Sequence, residues 1–316
     1  MTADPTRGGS GLLGRRLLVT GASGFIGTRL CQQAVTQGAI VHGVSRHPRE
    51  EGTGVQWERG DLTDTVATEE LIRRVRPDVV IHLASEVSGS RETEMVVPML
   101  RANLLAAVNV MVACAGAGCE RVVLAGSMEE PDIGDPDPVA QSPYAVAKWA
   151  ALAYARHLHA LHRLPVVHLR VFMVYGPGQL DLRKLVPYVT VSLLRGEEPK
   201  LSSGTRMVDW IYVDDVVDAF LRAAVAPGLE GTTLDVGSGQ LVAVRDLVLR
   251  LSDAIGAAKQ PVFGAIPDRP LERTCAADPR PAWHQMRWRP TTGLDVGLQR
   301  TVDFYRANLD RLPPGA

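Results

Sequence analysis

Along the first half of the chain, short unbroken apolar runs alternate with longer segments whose apolar positions recur every third or fourth residue. RLLVT (16–20), IVHGVS (40–45), DVVIHLA (78–84) and RVVLAGS (121–127) have the texture of strands covered on both faces, and VVHLRVFMVYG (166–176) continues it. Between them GTRLCQQAVTQG, TEELIRRVR, a segment near 93–116 and one near 143–163 carry a helical period. Strand alternating with helix predicts a parallel sheet with right-handed crossovers.

Beyond Gly176 the pattern loosens into a proline-punctuated helix (LVPYVTVSLLRG), a strand-like WIYV, a helix opened by Asp214 and Asp215, TTLDVGS, and a Pro- and Arg-rich stretch over 266–290. The expected division is a disordered tail over 1–14, a first domain over 15–175, and a smaller lobe over 176–316 of which about 208–238 packs back onto the first.

The turn after the first strand reads Gly21-Ala22-Ser23-Gly24-Phe25-Ile26-Gly27 and a helix follows at once. A tight turn, close approach of backbone to a pyrophosphate, close helix–strand packing and a helix N-terminus aimed at an anion are met together, which points to a dinucleotide. At the end of the second strand an acid would hold the ribose hydroxyls of NAD, whereas an arginine suits the 2′-phosphate of NADP. Ser45, Arg46 and His47 stand there, so NADP is preferred over NAD, the alternative being Arg46 stacked on adenine over plain NAD. Asp61 and Leu62, in GDLTD, are placed to meet the adenine.

Tyr144 and Lys148 lie one helical turn apart in SPYAVAKWAALAYA, and Ser127 closes the preceding strand. A tyrosine is a poor base near neutral pH until a neighbouring ammonium favours its phenolate, after which it can exchange protons with a substrate hydroxyl. The plain alternative is an amphipathic helix pair.

Composition narrows the field further. The 316 residues include 34 basic and 35 acidic ones, so no overall field favours nucleic acid or an anionic membrane. No unbroken apolar run reaches a membrane span and MTADPTRGGSGLLG lacks a signal-peptide core, which predicts a cytoplasmic protein. Cys31, Cys114, Cys119 and Cys275 fit neither a disulfide framework nor a zinc site, and His157, His159 and His162 lack a shared helix face, so no metal is expected.

With TGASGFIG, GDLTD, DVVIHLAS, the helix around Asn103, SPYAVAK, RVFMVYGPGQ, DWIYVDDVVDAF and RPLERTCAADPR, the chain resembles the extended short-chain dehydrogenase/reductases of the NAD(P)-dependent epimerase/dehydratase group. The resemblance implies an α/β fold: a Rossmann-type doubly wound parallel sheet with a smaller C-terminal α/β substrate lobe, and a nucleotide sugar handled at C4 in the cleft between them. It implies Ser127, Tyr144 and Lys148 as the reactive triad and adds Leu83 and Ala84 to the cofactor contacts and Ser85 to the substrate contacts. It also implies a homodimer paired through the helices near 100–115 and 145–162.

Departures from the family pattern bear on the substrate. Glu130, Pro131 and Asp132 stand where relatives carry Tyr-Gly, Met173 where they carry Asn, and Val208 where they carry a diphosphate-binding Arg. Arg206 is an adjacent replacement on the same strand face or else a solvated edge residue, while Arg269, with Arg273 in reserve, matches the second phosphate arginine. Glu129 occupies the place of a glutamate in the 4,6-dehydratases, where a carboxylate removes the C5 proton of a 4-ketosugar; Met128 replaces the acid some of them carry beside it. The alternative is that Glu129 and Glu130 form a solvated turn. Rival readings are an NADPH-consuming 4-ketoreductase, an enzyme of the same group acting on an apolar alcohol, and a non-catalytic NAD(P)-responsive protein.

Overall fold

The computed structural model describes residues 11–49, 54–132, 134, 138–269 and 272–313. Most of the predicted tail, through residue 10, lies outside them. By internal contacts the chain forms two compact units: one runs to Arg170 and takes in Val217–Leu234 and Pro281–Trp288, and the other comprises Val171–Val216, Asp235–Arg280 and Arg289 onward.

The first unit is built as the alternation predicts. β1 (Arg16–Thr20), α1 (Phe25–Thr36), β2 (Ile40–Ser45), β3 (Val55–Arg59), α2 (Thr65–Val75) and β4 (Val79–His82) lead into helix α3 (Val96–Met99). A π-helical segment (Leu100–Leu105) joins α3 to α4 (Ala106–Ala117), and β5 (Arg121–Ser127), α5 (Pro143–His162) and β6 (Val166–Val171) follow. With β7 (Met173–Tyr175), α6 (Leu185–Leu194), β8 (Met207–Tyr212), α7 (Val213–Val225) and β9 (Thr233–Val236) assigned in turn, the main sheet has the order β3-β2-β1-β4-β5-β6-β9. β1 pairs in parallel with both β2 and β4, so strand order reverses between them, and a crevice opens at the carboxyl ends of such strands.

Leu17, Leu18 and Val19 of β1 and Val79, Val80 and Ile81 of β4 are wholly buried, as parallel strands covered by helices on both faces must be. Helix ends follow local chemistry. Asp64 caps α2 by accepting the Ala67 N–H at 3.0 Å, and Ser142 caps α5 by accepting that of Ala145 at 3.1 Å, with Pro143 pre-set for the first turn.

In the second unit β10 (Leu241–Ala243) pairs antiparallel with β8, and β8 pairs in parallel with β7. Its helices include α8 (Val244–Ile255) and α9 (Leu294–Ala307), and Tyr305 of α9 packs with Val191 and Leu182.

One expectation is corrected here. VVHLRVFMVYG is two strands, not one: it is interrupted at Phe172, and β6 and β7 belong to different sheets. The helical stretch Thr93–Ala117 is 25 residues long and holds 18 consecutive residues of mean hydropathy 1.7, 39% of them buried, so by length and composition alone it could cross a membrane; Arg101, Asn103 and Asn109 keep it from being an unbroken apolar run.

Candidate active site

The Gly-rich turn has the backbone that its sequence demands. Gly21 sits at φ +67, and a Cβ there would come within 2.7 Å of the Ala84 nitrogen; at Gly27 a Cβ would meet the Gly21 oxygen at 2.1 Å. Any side chain at either point would fill the cradle or split the turn from Leu83-Ala84 at the end of β4. Gly24 begins α1 with no side-chain cap, so the first N–H groups of the helix, through Phe25, Ile26 and Gly27, are available to an anion beside Ser23. The residues present therefore fit a dinucleotide.

At the far end of this crevice Ser45 is buried and its Oγ accepts the His47 N–H at 3.3 Å, whereas Arg46 is exposed. Asp61 accepts the N–H and Oγ–H of Thr63 at 3.0 and 2.9 Å. Those bonds, with the charges of Arg46 and Arg101, hold its carboxyl below the usual range. Leu62 is buried, and its carbonyl accepts from Asn109 at 2.9 Å.

β5 and the first two turns of α5 bring Ser127, Tyr144 and Lys148 together. Ser127 and Ser85 lie beside the Tyr144 hydroxyl, and both act to lower its pKa. Ser85 donates its own proton to Asn103 Oδ1 at 2.8 Å. Asn103, buried in the π segment, is itself fixed by Glu86, accepting its N–H at 2.9 Å and donating to its carbonyl at 3.0 Å. Burial pushes the Tyr144 phenol up, out of range for a base at neutral pH, with Glu129 and Glu130 adding to the shift.

Lys148 is buried, donates to the Ala125 carbonyl at 2.9 Å, and lies 5.8 Å from the centre of the Tyr144 ring. Burial pushes its ammonium down to about 8, against the pull of Glu130. Beside it His82 hydrogen-bonds Thr20 at 2.9 Å and is driven down to about 3, first by burial and then by the charge of Lys148, so it is neutral.

The two acids behind Ser127 part ways. Glu129 is half-buried: its N–H donates to Ser127 Oγ at 3.2 Å and its Oε2 accepts from Ser142 Oγ at 3.2 Å. Glu130 is 1% exposed, which overturns the solvated turn as a description of that residue. Its Oε1 accepts the Ser127 N–H at 2.6 Å and lies 3.4 Å from Nε2 of the equally buried His168. Burial pushes the Glu130 carboxyl up, but His168, the Ser127 N–H and Lys148 outweigh it and hold it below its ordinary value.

Sequence reasoning did not single out His168, Ser142 or the role of Asn103. The available signals were a polar residue inside an apolar strand run and another inside an apolar helix.

In the second unit Arg206 is paired with Glu272 at 3.1 Å and is largely covered, so it is not a solvated edge residue. Arg269 is exposed, Arg273 partly buried, and Val208 fully buried in β8.

A Rossmann-type sheet whose strand-end serine meets a Tyr-x-x-x-Lys helix defines a short-chain dehydrogenase/reductase. Residues 17–237 match the NAD dependent epimerase/dehydratase family, and the chain belongs to it. It is 30% identical over 311 residues to a UDP-glucose 4-epimerase of Mycolicibacterium smegmatis, covering 92% of this chain and 98% of that one. It is 27% identical over 319 residues to a dTDP-glucose 4,6-dehydratase of Streptomyces antibioticus, covering 92% of each. Among solved structures, MoeE5 in complex with UDP-glucose and NAD superposes with a TM-score of 0.82 at 32% identity, covering 93% of this chain and 99% of that one.

Proposed function

We propose that this enzyme oxidises a nucleotide-linked hexose at C4 and abstracts the C5 proton of the resulting ketone, the chemistry of a 4,6-dehydratase. The observation that carries this reading is the Glu129 carboxylate, held by Ser142 at the N-terminus of the helix that bears Tyr144. Gly21, Ser23, Gly24, Phe25, Ile26, Gly27, Leu83 and Ala84 would hold the dinucleotide, whose nicotinamide when bound supplies a hydride acceptor and donor.

The chain's own residues manage protons. Ser127 orients the C4 oxygen. Tyr144, protonated at rest, would take the C4 hydroxyl proton once the Lys148 ammonium and the positive charge of a bound oxidised nicotinamide together favour its phenolate against burial. Glu129 removes the proton from C5, made acidic by the adjacent ketone; the C6 hydroxyl departs with that proton as water, and the hydride held by the cofactor would return to C6 as C5 takes up a proton. Met128, where an acid would assist that departure, favours a second reading in which C5 is left alone and the sugar is released as its C4 epimer. The kinship with UDP-glucose 4-epimerase supports the same alternative.

Arg46, exposed at the end of β2 with no acid beside it on that strand, supports NADP over NAD as the preferred cofactor. Ser85 is a substrate contact, and Arg206, Arg269 and Arg273 are the candidates for the diphosphate. A homodimer is supported by exposed Val96, Val97 and Leu100 on the α3 side and Val146, Trp149 and Tyr154 on α5, flanking an apolar recess of about 320 Å³.

The test is thermal stabilisation by UDP-glucose and dTDP-glucose, each alone and with NAD or NADP. Stabilisation by either sugar nucleotide, larger with NADP, is expected; none from any pair would refute the substrate class.

A further inference from the structure

Beneath the triad lies a carboxylate that this proton scheme leaves unused. Glu130 and His168 are buried side chains packed over Gly126, where a Cβ would come within 2.2 Å of His168 Nε2 and 2.6 Å of Glu130 Oε1. Only glycine lets both groups cover that stretch of strand. Glu130 Oε1 accepts the Ser127 N–H, and Lys148 Nζ donates to the Ala125 carbonyl. Along a strand the C=O of one residue and the N–H of the second residue onward point to the same side. Carboxylate and ammonium are therefore attached at neighbouring points on one edge of β5.

The titratable groups facing Lys148 are Glu130 from the turn after β5, His82 from β4 and Tyr144 one turn earlier on α5. Those facing Glu130 are His168 from β6 and Lys148 from α5. His82 is neutral and the resting phenol is protonated, so the countercharge to a desolvated ammonium comes from Glu130. An ammonium stripped of water and lacking such a partner sheds its proton.

We propose that Glu130, clamped by His168, is a positioning residue: it keeps Lys148 charged and pins the backbone of Ser127, acting on the reaction only through those two residues. This rests on Tyr144 and Lys148 being the proton-transfer pair.

The 316 residues contain four lysines, Lys148, Lys184, Lys200 and Lys259, of which Lys148 alone is buried, so lysine-selective 13C and 15N labelling resolves its titration by NMR without substrate. Glu130→Gln keeps an oxygen for the Ser127 N–H and removes the charge. The Lys148 midpoint is expected to fall by about one pH unit while the other three stay in place. In turnover the alkaline limb of kcat should move down in step, with KM for the sugar nucleotide unchanged.

The double variant Glu130→Leu with His168→Leu replaces the buried pair by apolar groups, a change cores often tolerate, and should give the same downward shift if the single variant does not fold. An unmoved Lys148 midpoint in a folded variant overturns the proposal, and so does failure of both variants to fold, which would make the pair purely structural. A shifted midpoint in a protein that turns over no nucleotide hexose would instead refute the proposed reaction and leave the coupling standing.

Discussion

Ser142 Oγ donates to Glu129 Oε2 across 3.2 Å while accepting the N–H of Ala145, so one hydroxyl ties a carboxylate to the first turn of the helix that carries Tyr144. A glutamate fixed in this way is a poor candidate for a solvated turn and a good one for a base. Glu129→Gln should lower the rate of water loss from a nucleotide hexose by about 10²- to 10⁴-fold, with little change in Tm. Coupled liquid chromatography and mass spectrometry of timed reactions would measure it; unchanged elimination would return Glu129 to a structural role. Ser142→Ala should reduce the rate less and also cost about 1 kcal/mol through the lost cap.

Tyr144→Phe should reduce turnover by at least about a hundredfold, because Ser127 and Lys148 have no second route to the C4 proton. The Lys148 ammonium, pushed down to about 8 by burial, is charged below that pH and neutral above it. Activity that depends on the ammonium therefore declines as pH rises through about 8. A profile of kcat that is flat to about pH 10 would contradict the role given to Lys148.

His82 gives a stability prediction independent of activity. Its folded pKa of about 3 lies below that of an unfolded histidine, so the unfolded chain takes up the proton first and stability is lost as pH falls below about 6.5. Urea unfolding should show the wild type losing about 2 kcal/mol more than His82→Asn between about pH 7.5 and about pH 5. Equal losses would mean that the imidazole is not held neutral in the fold.

Arg46→Ala should raise the apparent Kd for NADP by about tenfold and leave that for NAD nearly unchanged, as measured by quenching of intrinsic fluorescence. Equal weakening of both would assign Arg46 to adenine stacking, and no effect on either would remove it from the site.

Most of the framework was legible in the sequence because it rests on local requirements. Gly21 and Gly27 are dictated by backbone conformation and by atoms less than 3 Å from where a Cβ would stand, and a four-residue spacing puts Tyr144 and Lys148 on one helix face whatever surrounds them. What escaped depends on contacts between segments distant in the chain. Glu130 carries the polarity of a turn residue; its burial follows from His168, delivered by a strand formed much later. The break at Phe172 has no glycine or proline to announce it, and nothing in the apolar run reveals that its two halves join different sheets. Asn103 was visible as a polar residue in an apolar helix, but its bond to Ser85 exists only because a π segment turns it toward the end of β4.

Oxidation at C4 followed by proton loss at C5 can be followed by incubating the purified enzyme, with no added reductant, with dTDP-glucose and UDP-glucose deuterated at C4 and weighing the product. A 4,6-dehydratase yields a product lighter by one water that keeps its deuterium, because the hydride taken from C4 is returned within the same sugar. A C4 epimer of unchanged mass with deuterium retained would replace dehydration by epimerisation, and no turnover of either sugar until NADPH is supplied with a 4-ketosugar would refute both.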